Sequence, residues 1–260
     1  MTADTIVRTD EWTSPVDAAV RQHTLARTLG LHLLPGVLAT VVYVLAAPML
    51  MRLGFPTLLA AYLVIPGTII TFQFGYLLAQ ARRTSGRPAL RDVVRYRDAL
   101  STRQYAVFVP LLLVWAVLAS GLLMPIDTLM STSLFGALPD WFLFRDMPHY
   151  GALYSRSVLI TTMSIGLVFN GVLGPVVEEL YFRGYLLPRL ARFGRWAPLL
   201  NVVLFSLYHF WTPWQFFSRI VVLVPMVYAV WWKRNIALGI ITHCLLNIIG
   251  LLFTFALLLR

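Results

Sequence analysis

Residues 157–177 read SVLITTMSIGLVFNGVLGPVV, a run without a single charged side chain. A membrane-spanning helix needs about 20 consecutive, mostly apolar residues, so this run is long enough to cross a bilayer. It ends directly at two adjacent glutamates, Glu178 and Glu179. Carboxylates are costly inside a membrane and mark functional sites there by default. The stretch therefore predicts a membrane helix that carries a functional site at its end.

The same apolar character extends through the whole chain. Of its 260 residues 59% are hydrophobic and only 12% are charged, whereas soluble domains are about half apolar and a quarter charged. This composition excludes an ordinary soluble globule and a disordered chain. Six more uncharged stretches are present: 28–51, 53–81, 104–126, 196–218, 220–232 and 235–259. We therefore predict an all-α fold, a polytopic membrane helical bundle with about seven transmembrane helices.

The basic residues predict how these helices are oriented. If the N-terminus lies inside and every stretch crosses, 16 of the 21 Lys and Arg residues fall on the inner side and 5 on the outer side. Cytoplasmic loops carry the excess of basic residues, so this orientation is favoured. This orientation requires the short stretch 220–232 to cross the membrane. It can do so only if the Arg219 or Lys233 side chain extends to the membrane–water interface. We expect a multi-pass protein of a bacterial plasma membrane with a cytoplasmic N-terminus.

The chain divides into a polar cytoplasmic tail, residues 1–27, and a single transmembrane helical domain, residues 28–260. The tail lacks the basic region, short apolar core and cleavage site of a signal peptide. Membrane topology accounts for the net charge of +10, so the lipid bilayer is an expected partner and nucleic acid is not. No sequence feature indicates an oligomeric state.

The acidic residues narrow the search for a site. Nine of the eleven fall in the tail and the loops, which leaves Glu178 and Glu179 next to a membrane span. On a helix Glu179 and Arg183 share a face and can form an ion pair. Glu178 is turned by about 100° from its neighbour, so the two carboxylates can serve different purposes. The alternative is a solvated helix end at the cytoplasmic interface.

Two histidines, His209 and His243, lie inside apolar runs. His243 shares a helix face with Asn247, whose side chain is costly in lipid unless it has partners. Asn170, about two turns before Glu178, is a further candidate donor behind the site. The remaining histidines are expected in solvent or at an interface: His23, His32 and His149.

Two chemistries fit these groups, and both lead to attack of water on an amide. Glu178, His209 and His243 are sufficient ligands for a catalytic zinc with an open position for water. Without a metal, Glu178 can take a proton from water while His and Asn donate to the developing oxyanion. The zinc-protease pattern HExxH is absent, so a metalloprotease here would be of a different kind. The single cysteine, Cys244, is expected to be structural.

Three motifs follow one another on successive apolar segments: EExxxR at Glu178, Glu179 and Arg183, FxxxH at Phe205 and His209, and HxxxN at His243 and Asn247. In this order they resemble the CPBP family of intramembrane proteases, the CAAX protease and bacteriocin-processing enzymes also called Abi. The resemblance covers about residues 157–250. Members of this family are described both as zinc enzymes and as metal-free glutamate proteases, so the resemblance leaves the metal open.

The resemblance implies a role for each motif residue. Glu178 is expected to activate water, and Glu179 and Arg183 to form the pair that supports it. The catalytic site is expected to be completed by His209, His243 and Asn247. Phe205 is expected to pack one turn before His209.

We therefore predict an intramembrane endopeptidase that hydrolyses a peptide bond of a membrane-associated protein or peptide by a Glu-activated water. Its His and Asn side chains, with or without zinc, would support the reaction. One alternative is a catalytically silent CPBP-like membrane protein that acts in bacteriocin-type immunity or regulation. A further alternative is a proton-coupled transporter with the Glu/His cluster as its relay, although no inverted repeat is visible.

Overall fold

The structure is a computed structural model that describes residues 20–258. Within this range the chain is almost entirely helical and contains no β-strand. The α-helices are α1 (Leu25–Arg52), α2 (Thr57–Ser85), α3 (Thr102–Leu129), α4 (Tyr150–Leu153), α5 (Arg156–Val168), α6 (Gly174–Glu178), α7 (Ala197–Tyr208), α8 (Phe216–Lys233) and α9 (Ile236–Leu258). Wider π-helical segments follow α3, α5 and α6: Met130–Leu134, Phe169–Leu173 and Glu179–Leu186. Tighter 3-10 turns cover Leu90–Asp92, Met147–His149, Leu187–Trp196 and Pro213–Gln215.

Six helical stretches in the described part of the chain are long and apolar enough to cross a membrane. One of them, Arg156–Tyr208, has 53 residues, far more than one crossing needs. It is broken at Gly194, whose φ of 53° and ψ of −132° are not helical. The stretch therefore holds two helical passes that meet at the break. The prediction of an all-α bundle with about seven transmembrane helices is confirmed.

One end of the bundle gathers the segments rich in arginine, and we call it the basic end: residues 20–24, 86–101, 184–196 and 233–236. Backbone hydrogen bonds join these segments to one another. Arg95 N–H donates to Gly184 O at 2.8 Å, and Ile236 N–H donates to Tyr96 O at 2.7 Å. The basic end is thus held together by extended chain rather than by helix packing alone.

The opposite end, which we call the loop end, contains residues 53–56 and 127–155 and the start of α8. The hydroxyl groups of Thr57 and Tyr150 lie 2.7 Å apart there, and Ser218 Oγ donates to Asp127 Oδ2 at 2.8 Å. Helix α8 runs from this end to the basic end. The short stretch 220–232 therefore crosses the bundle, as the charge distribution requires. A cytoplasmic location of the basic end remains a prediction.

The N-terminal boundary differs from the predicted one. Helix α1 begins at Leu25, where Thr24 Oγ1 accepts from Arg27 N–H at 3.3 Å, so the first helix takes up the last three residues of the predicted tail. His23 is 5% exposed, and its main-chain N–H donates to the main-chain carbonyl of Arg189 at 3.2 Å. The expectation of a solvated His23 is therefore wrong, because this segment packs on Leu187–Trp196. Residues 1–19 of the predicted tail lie outside the described residues.

Candidate active site

The two glutamates lie where the helix changes its winding. Glu178 is the last residue of α6, and Glu179 begins the π-helical segment Glu179–Leu186. A second π-helical segment, Phe169–Leu173, precedes α6. Pro175 follows that segment closely, and a proline cannot donate to the carbonyl four residues before it, so a wider turn relieves the helix there. Such segments are rare and are frequent at functional sites.

Glu179 is fully buried and binds two groups through one oxygen. Its Oε1 lies 2.9 Å from His243 Nδ1 and 3.1 Å from Arg183 Nη1. The ion pair with Arg183 is the one that the four-residue spacing predicted. Gly239 on α9 makes room for the other oxygen, because a Cβ at this glycine would lie 2.7 Å from Glu179 Oε2.

The contact with Glu179 also indicates which ring nitrogen of His243 carries a hydrogen. A carboxylate only accepts hydrogen bonds, so His243 Nδ1 must carry a hydrogen. Its other nitrogen, Nε2, then faces Glu178 Oε2 at 3.9 Å. This separation is too long for a direct hydrogen bond and suits a bridging water.

Glu178 is held from its other side by a residue that the sequence motifs did not indicate. Tyr208 donates its hydroxyl hydrogen to Glu178 Oε1 at 2.7 Å, and both side chains are buried. A tyrosine in an apolar helix needs a partner for its hydroxyl group. That need was the available signal for Tyr208, which precedes His209 in a strongly apolar run.

Arg183 is fully buried, with its guanidinium over the ring of Phe205 at 4.1 Å from the centroid. A cation over an aromatic face is attracted by the ring quadrupole. Phe205 thus supports the charged pair as well as packing against His209, whose ring centroid lies 4.7 Å away. The FxxxH motif therefore contributes an aromatic platform for Arg183.

His209 stands apart from the glutamates. It directly follows the last residue of α7, and its Nδ1 lies 2.8 Å from Phe205 O. Its ring packs against the rings of Tyr208 and Trp211, at 4.6 and 4.7 Å between centroids. Within the described part of the chain it makes neither a hydrogen bond nor an ion pair to Glu178 or Glu179. It remains partly exposed, so its Nε2 is open to a ligand.

Asn247 forms a hydrogen bond with the main chain of the helix that leads to the two glutamates. Its Nδ2 donates to the backbone carbonyl of Asn170 at 2.8 Å, inside the π-helical segment Phe169–Leu173. Asn170 thus contributes its main chain to this bond, and no side-chain donation to the glutamates is seen. The HxxxN motif therefore joins α9 to the helix that carries both glutamates.

Helix α1 supports the site, although no sequence motif indicated a role for it other than spanning the membrane. His32 is fully buried rather than at an interface, so that expectation is wrong. Its Nδ1 lies 2.8 Å from Thr28 O, and its Nε2 lies 3.2 Å from Asn201 Nδ2. Asn201 in turn donates to Phe182 O at 3.1 Å. A buried polar link thus ties α1 and α7 to the segment Glu179–Leu186.

Two further contacts fix α1 against the site. Pro35 has no N–H for the carbonyl of Leu31, and Tyr181 donates its hydroxyl hydrogen to that carbonyl at 2.8 Å. Gly36, the residue after Pro35, lies so close to the main-chain carbonyl of Tyr208 that no Cβ fits there. The position of Tyr208, and with it the contact to Glu178, depends on this close approach.

The predicted zinc ligands are Glu178, His209 and His243. Among residues 20–258 no three His, Cys, Asp or Glu side chains are grouped closely enough to hold one ion. His243 Nδ1 is occupied by Glu179, and His209 Nδ1 by Phe205 O. The three groups do not converge as arranged, so we derive no step through a metal. Zinc at these residues stays one of the two alternatives that the sequence allows.

Comparison with known families agrees with the motifs. The family model described as Rce1-like, Type II CAAX prenyl endopeptidase Rce1-like, matches residues 160–249. This segment is about a third of the chain and contains all six predicted site residues. The match confirms the resemblance to the CPBP/CAAX protease family. No curated protein and no solved structure gave a match.

Proposed function

We propose that this chain is an intramembrane endopeptidase that hydrolyses a peptide bond of a membrane-associated protein or peptide with water activated by Glu178. One observation carries the proposal: Glu178 Oε2 and His243 Nε2 face each other across 3.9 Å, while the second polar atom of each side chain is held by another residue. The family match supports CAAX-type protease activity in general.

The proposed reaction begins with a water between these two atoms. One hydrogen of the water points to Glu178 Oε2 and the other to the lone pair of His243 Nε2, which leaves an oxygen lone pair for the substrate carbonyl carbon. Glu178 takes the proton as the carbon–oxygen bond forms. The same proton then passes to the amide nitrogen as the carbon–nitrogen bond breaks, which returns the glutamate to its ionised form.

The remaining motif residues are assigned to support. Asn247 keeps one amide hydrogen beyond its bond to Asn170, and we assign it to the developing oxyanion. His209 Nε2 is assigned to the substrate backbone, because it is the open nitrogen of a partly exposed ring. Glu179 and Arg183 act through His243 by fixing its orientation.

The depth of the site defines what can reach it. His243 lies seven positions after Ile236, which is at the basic end, and this corresponds to about 10 Å along helix α9. An extended chain covers this distance with about three residues. A substrate attached to the membrane at the basic end therefore needs only a short segment to bring a peptide bond to Glu178.

The test uses purified protein in liposomes with a fluorogenic peptide that ends in a prenylated CAAX sequence. We expect Glu178→Gln and His243→Ala to lower the rate by at least about 100-fold, because each removes a group that contacts the attacking water. Cys244→Ser, at the next position of α9 and turned by about 100° from His243, serves as the control and is expected to cleave normally. Unchanged cleavage by Glu178→Gln would refute the proposed role of Glu178, whereas a folded wild type that cleaves no peptide would favour the catalytically silent regulator.

A further inference from the structure

Arg219, in the first turn of α8, is a charged side chain that the proposed reaction does not use. Within residues 20–258 its guanidinium forms no ion pair. Its Nη2 instead donates to two uncharged groups, Thr212 Oγ1 at 2.7 Å and Gln215 Oε1 at 2.9 Å. An arginine inside a membrane protein is costly, and such residues mark functional sites there. The two hydrogen bonds therefore indicate what Arg219 does.

Both partners of Arg219 belong to the segment that joins α7 to α8, residues 209–215, which we call the α7–α8 loop. They are the two ends of one turn, which Gln215 N–H closes by donating to Thr212 O at 3.1 Å. Two acceptors at one atom require a donor with two hydrogens, and Nη2 provides both. Arg219 thus fixes both ends of this turn to α8.

The α7–α8 loop also places His209. The φ of −81° and ψ of 58° at His209 are those of an inverse γ-turn, in which Phe210 N–H donates to Tyr208 O at 2.9 Å. The next turn is closed by Thr212 N–H, which donates to His209 O at 3.0 Å. The main chain of Thr212 therefore ends the turn that begins at His209, while its side chain is held by Arg219. A displacement of Thr212 would move the main chain of His209.

The ring of His209 has one open nitrogen. Its Nδ1 lies 2.8 Å from Phe205 O, and a carbonyl oxygen only accepts hydrogen bonds, so Nδ1 carries a hydrogen. The neutral ring then presents Nε2 as an acceptor. An extended substrate offers main-chain N–H groups that suit this acceptor. The direction in which Nε2 points depends on the main chain of His209, because Nδ1 is already occupied.

We infer that Arg219 is a positioning residue for substrate binding: through Thr212 and Gln215 it holds the α7–α8 loop in the conformation that directs His209 Nε2 to a main-chain N–H of the substrate. The inference rests on the proposed function, in which His209 contacts the substrate backbone. This contact is equally available before and during the reaction. Its loss therefore weakens substrate binding without slowing the chemical step.

The first experiment compares Arg219→Met with Arg145→Met, the same change at an exposed arginine of the loop end that pairs with Asp140 at 2.8 Å. We expect Arg219→Met to raise KM by about 10-fold at unchanged kcat, the effect of one hydrogen bond to the substrate. Arg145→Met is expected to change neither constant. A merely structural role would reduce the amount of active enzyme and lower the apparent kcat. That result, or an unchanged KM, would overturn the inference.

Substitutions of Thr212 test the contact through which Arg219 acts. Thr212→Val removes the acceptor and keeps the shape, so we expect KM to rise as in Arg219→Met. Thr212→Ser keeps the hydroxyl and is expected to restore the wild-type KM. Equal KM values in the two Thr212 variants would contradict the inference.

A double-mutant cycle with His209→Ala shows whether the effect passes through the histidine. If Arg219 acts through His209, adding Arg219→Met to His209→Ala raises KM no further. Increases in KM that multiply would contradict the inference, because they would give Arg219 an effect on the substrate independent of His209.

Nuclear magnetic resonance keeps the inference testable without any activity. In protein labelled with ¹⁵N in its histidine rings, the signals of His209 are those missing from His209→Ala. Thr212→Val leaves the charge of Arg219 in place, so a shift of the Nε2 signal in this variant reports a changed ring position. We expect that shift, and its reversal in Thr212→Ser. An unmoved signal in Thr212→Val would overturn the inference. If the wild type cleaves no peptide, the proposed function fails, and this signal alone decides whether the contact between Arg219 and Thr212 holds His209.

Discussion

His243 Nδ1 lies 2.9 Å from Glu179 Oε1, and this contact determines which ring nitrogen faces the site. Nδ1 carries the hydrogen, and Nε2 stays open toward Glu178. Glu179 therefore reaches the reacting groups through His243, while Arg183 balances its charge from 3.1 Å. The two adjacent glutamates thus serve different purposes, one at the water and one behind the histidine.

Glu179→Gln is expected to destabilise the protein strongly. Neither Glu179 nor Arg183 has an exposed side chain, and removing one partner of a buried ion pair leaves an uncompensated charge. We expect the free energy of unfolding, measured by denaturation in detergent, to fall by about 3–5 kcal/mol. Adding Arg183→Met should recover most of that stability and none of the peptidase activity. An unchanged stability in Glu179→Gln would mean that Arg183 is neutralised elsewhere.

Gly239→Ala is expected to impair activity through a single methyl group. The added Cβ would lie 2.7 Å from Glu179 Oε2 and 2.9 Å from Val230 Cγ2, so the carboxylate that holds His243 and the Val230 side chain must both move. We expect kcat to fall by about 100-fold, as small misplacements of catalytic groups do. Gly250→Ala on the same helix is the control, because nothing lies within 4 Å of its Cβ. Equal activities of the two variants would contradict this view of Glu179.

Metal analysis distinguishes the two chemistries that the motifs allow. We expect purified, active wild type to contain less than about one zinc per ten chains, because the three predicted ligands do not converge on one point. His209→Ala measured beside it provides the control. Stoichiometric zinc in the wild type that is lost in His209→Ala would establish the metalloprotease form instead.

His23 is expected to make the N-terminal packing sensitive to pH. Burial and, to a smaller extent, repulsion by Arg27 and Arg189 together lower the pKa of His23 to about 3. The unfolded chain binds the proton near pH 6.5, so the stability that the neutral ring contributes is present above pH 6.5 and is lost as the pH falls toward 3. The other groups that act on this ring are His32 and Arg192.

Hydrogen exchange of residues 20–24 measures this effect. We expect faster exchange at pH 5 than at pH 7 after correction for the intrinsic rate. In His23→Phe the difference should disappear, because a ring without a titratable nitrogen stays neutral. A wild-type segment with the same protection at both pH values would contradict the expected loss.

The features that local spacing controls were predictable from the sequence. Glu179 and Arg183 are four residues apart on one helix, so their pairing follows from helix geometry alone. The uncharged stretches likewise predicted the membrane helices, because length and composition determine whether a segment spans a bilayer. Both kinds of feature require no knowledge of how the helices pack.

The features that depend on packing between helices were not predictable. Tyr208 and His32 belong to α7 and α1, and only the folded bundle brings them to the glutamate-bearing helix, Tyr208 directly and His32 through Asn201. His23 and His32 were misplaced for the same reason, since the polarity of neighbouring residues does not reveal burial against a distant segment. The π-helical segment Glu179–Leu186 produces no recognisable pattern in the sequence. The motif spacing therefore indicated which residues form the site but not the π-helical geometry in which they lie.

The short length of α7 has a consequence for how water and a peptide substrate would reach the site. Its twelve residues cover about 18 Å, so about 12 Å of hydrocarbon depth is left to the non-helical chain that begins at His209. Peptide groups at that depth must be buried in protein or wetted. Arg219 makes this non-helical segment polar, because its Nη2 donates to Thr212 Oγ1 at 2.7 Å and to Gln215 Oε1 at 2.9 Å. If the chain hydrolyses peptides as we propose, this polar segment offers water a route from the loop end that is separate from the route of a peptide arriving at the basic end.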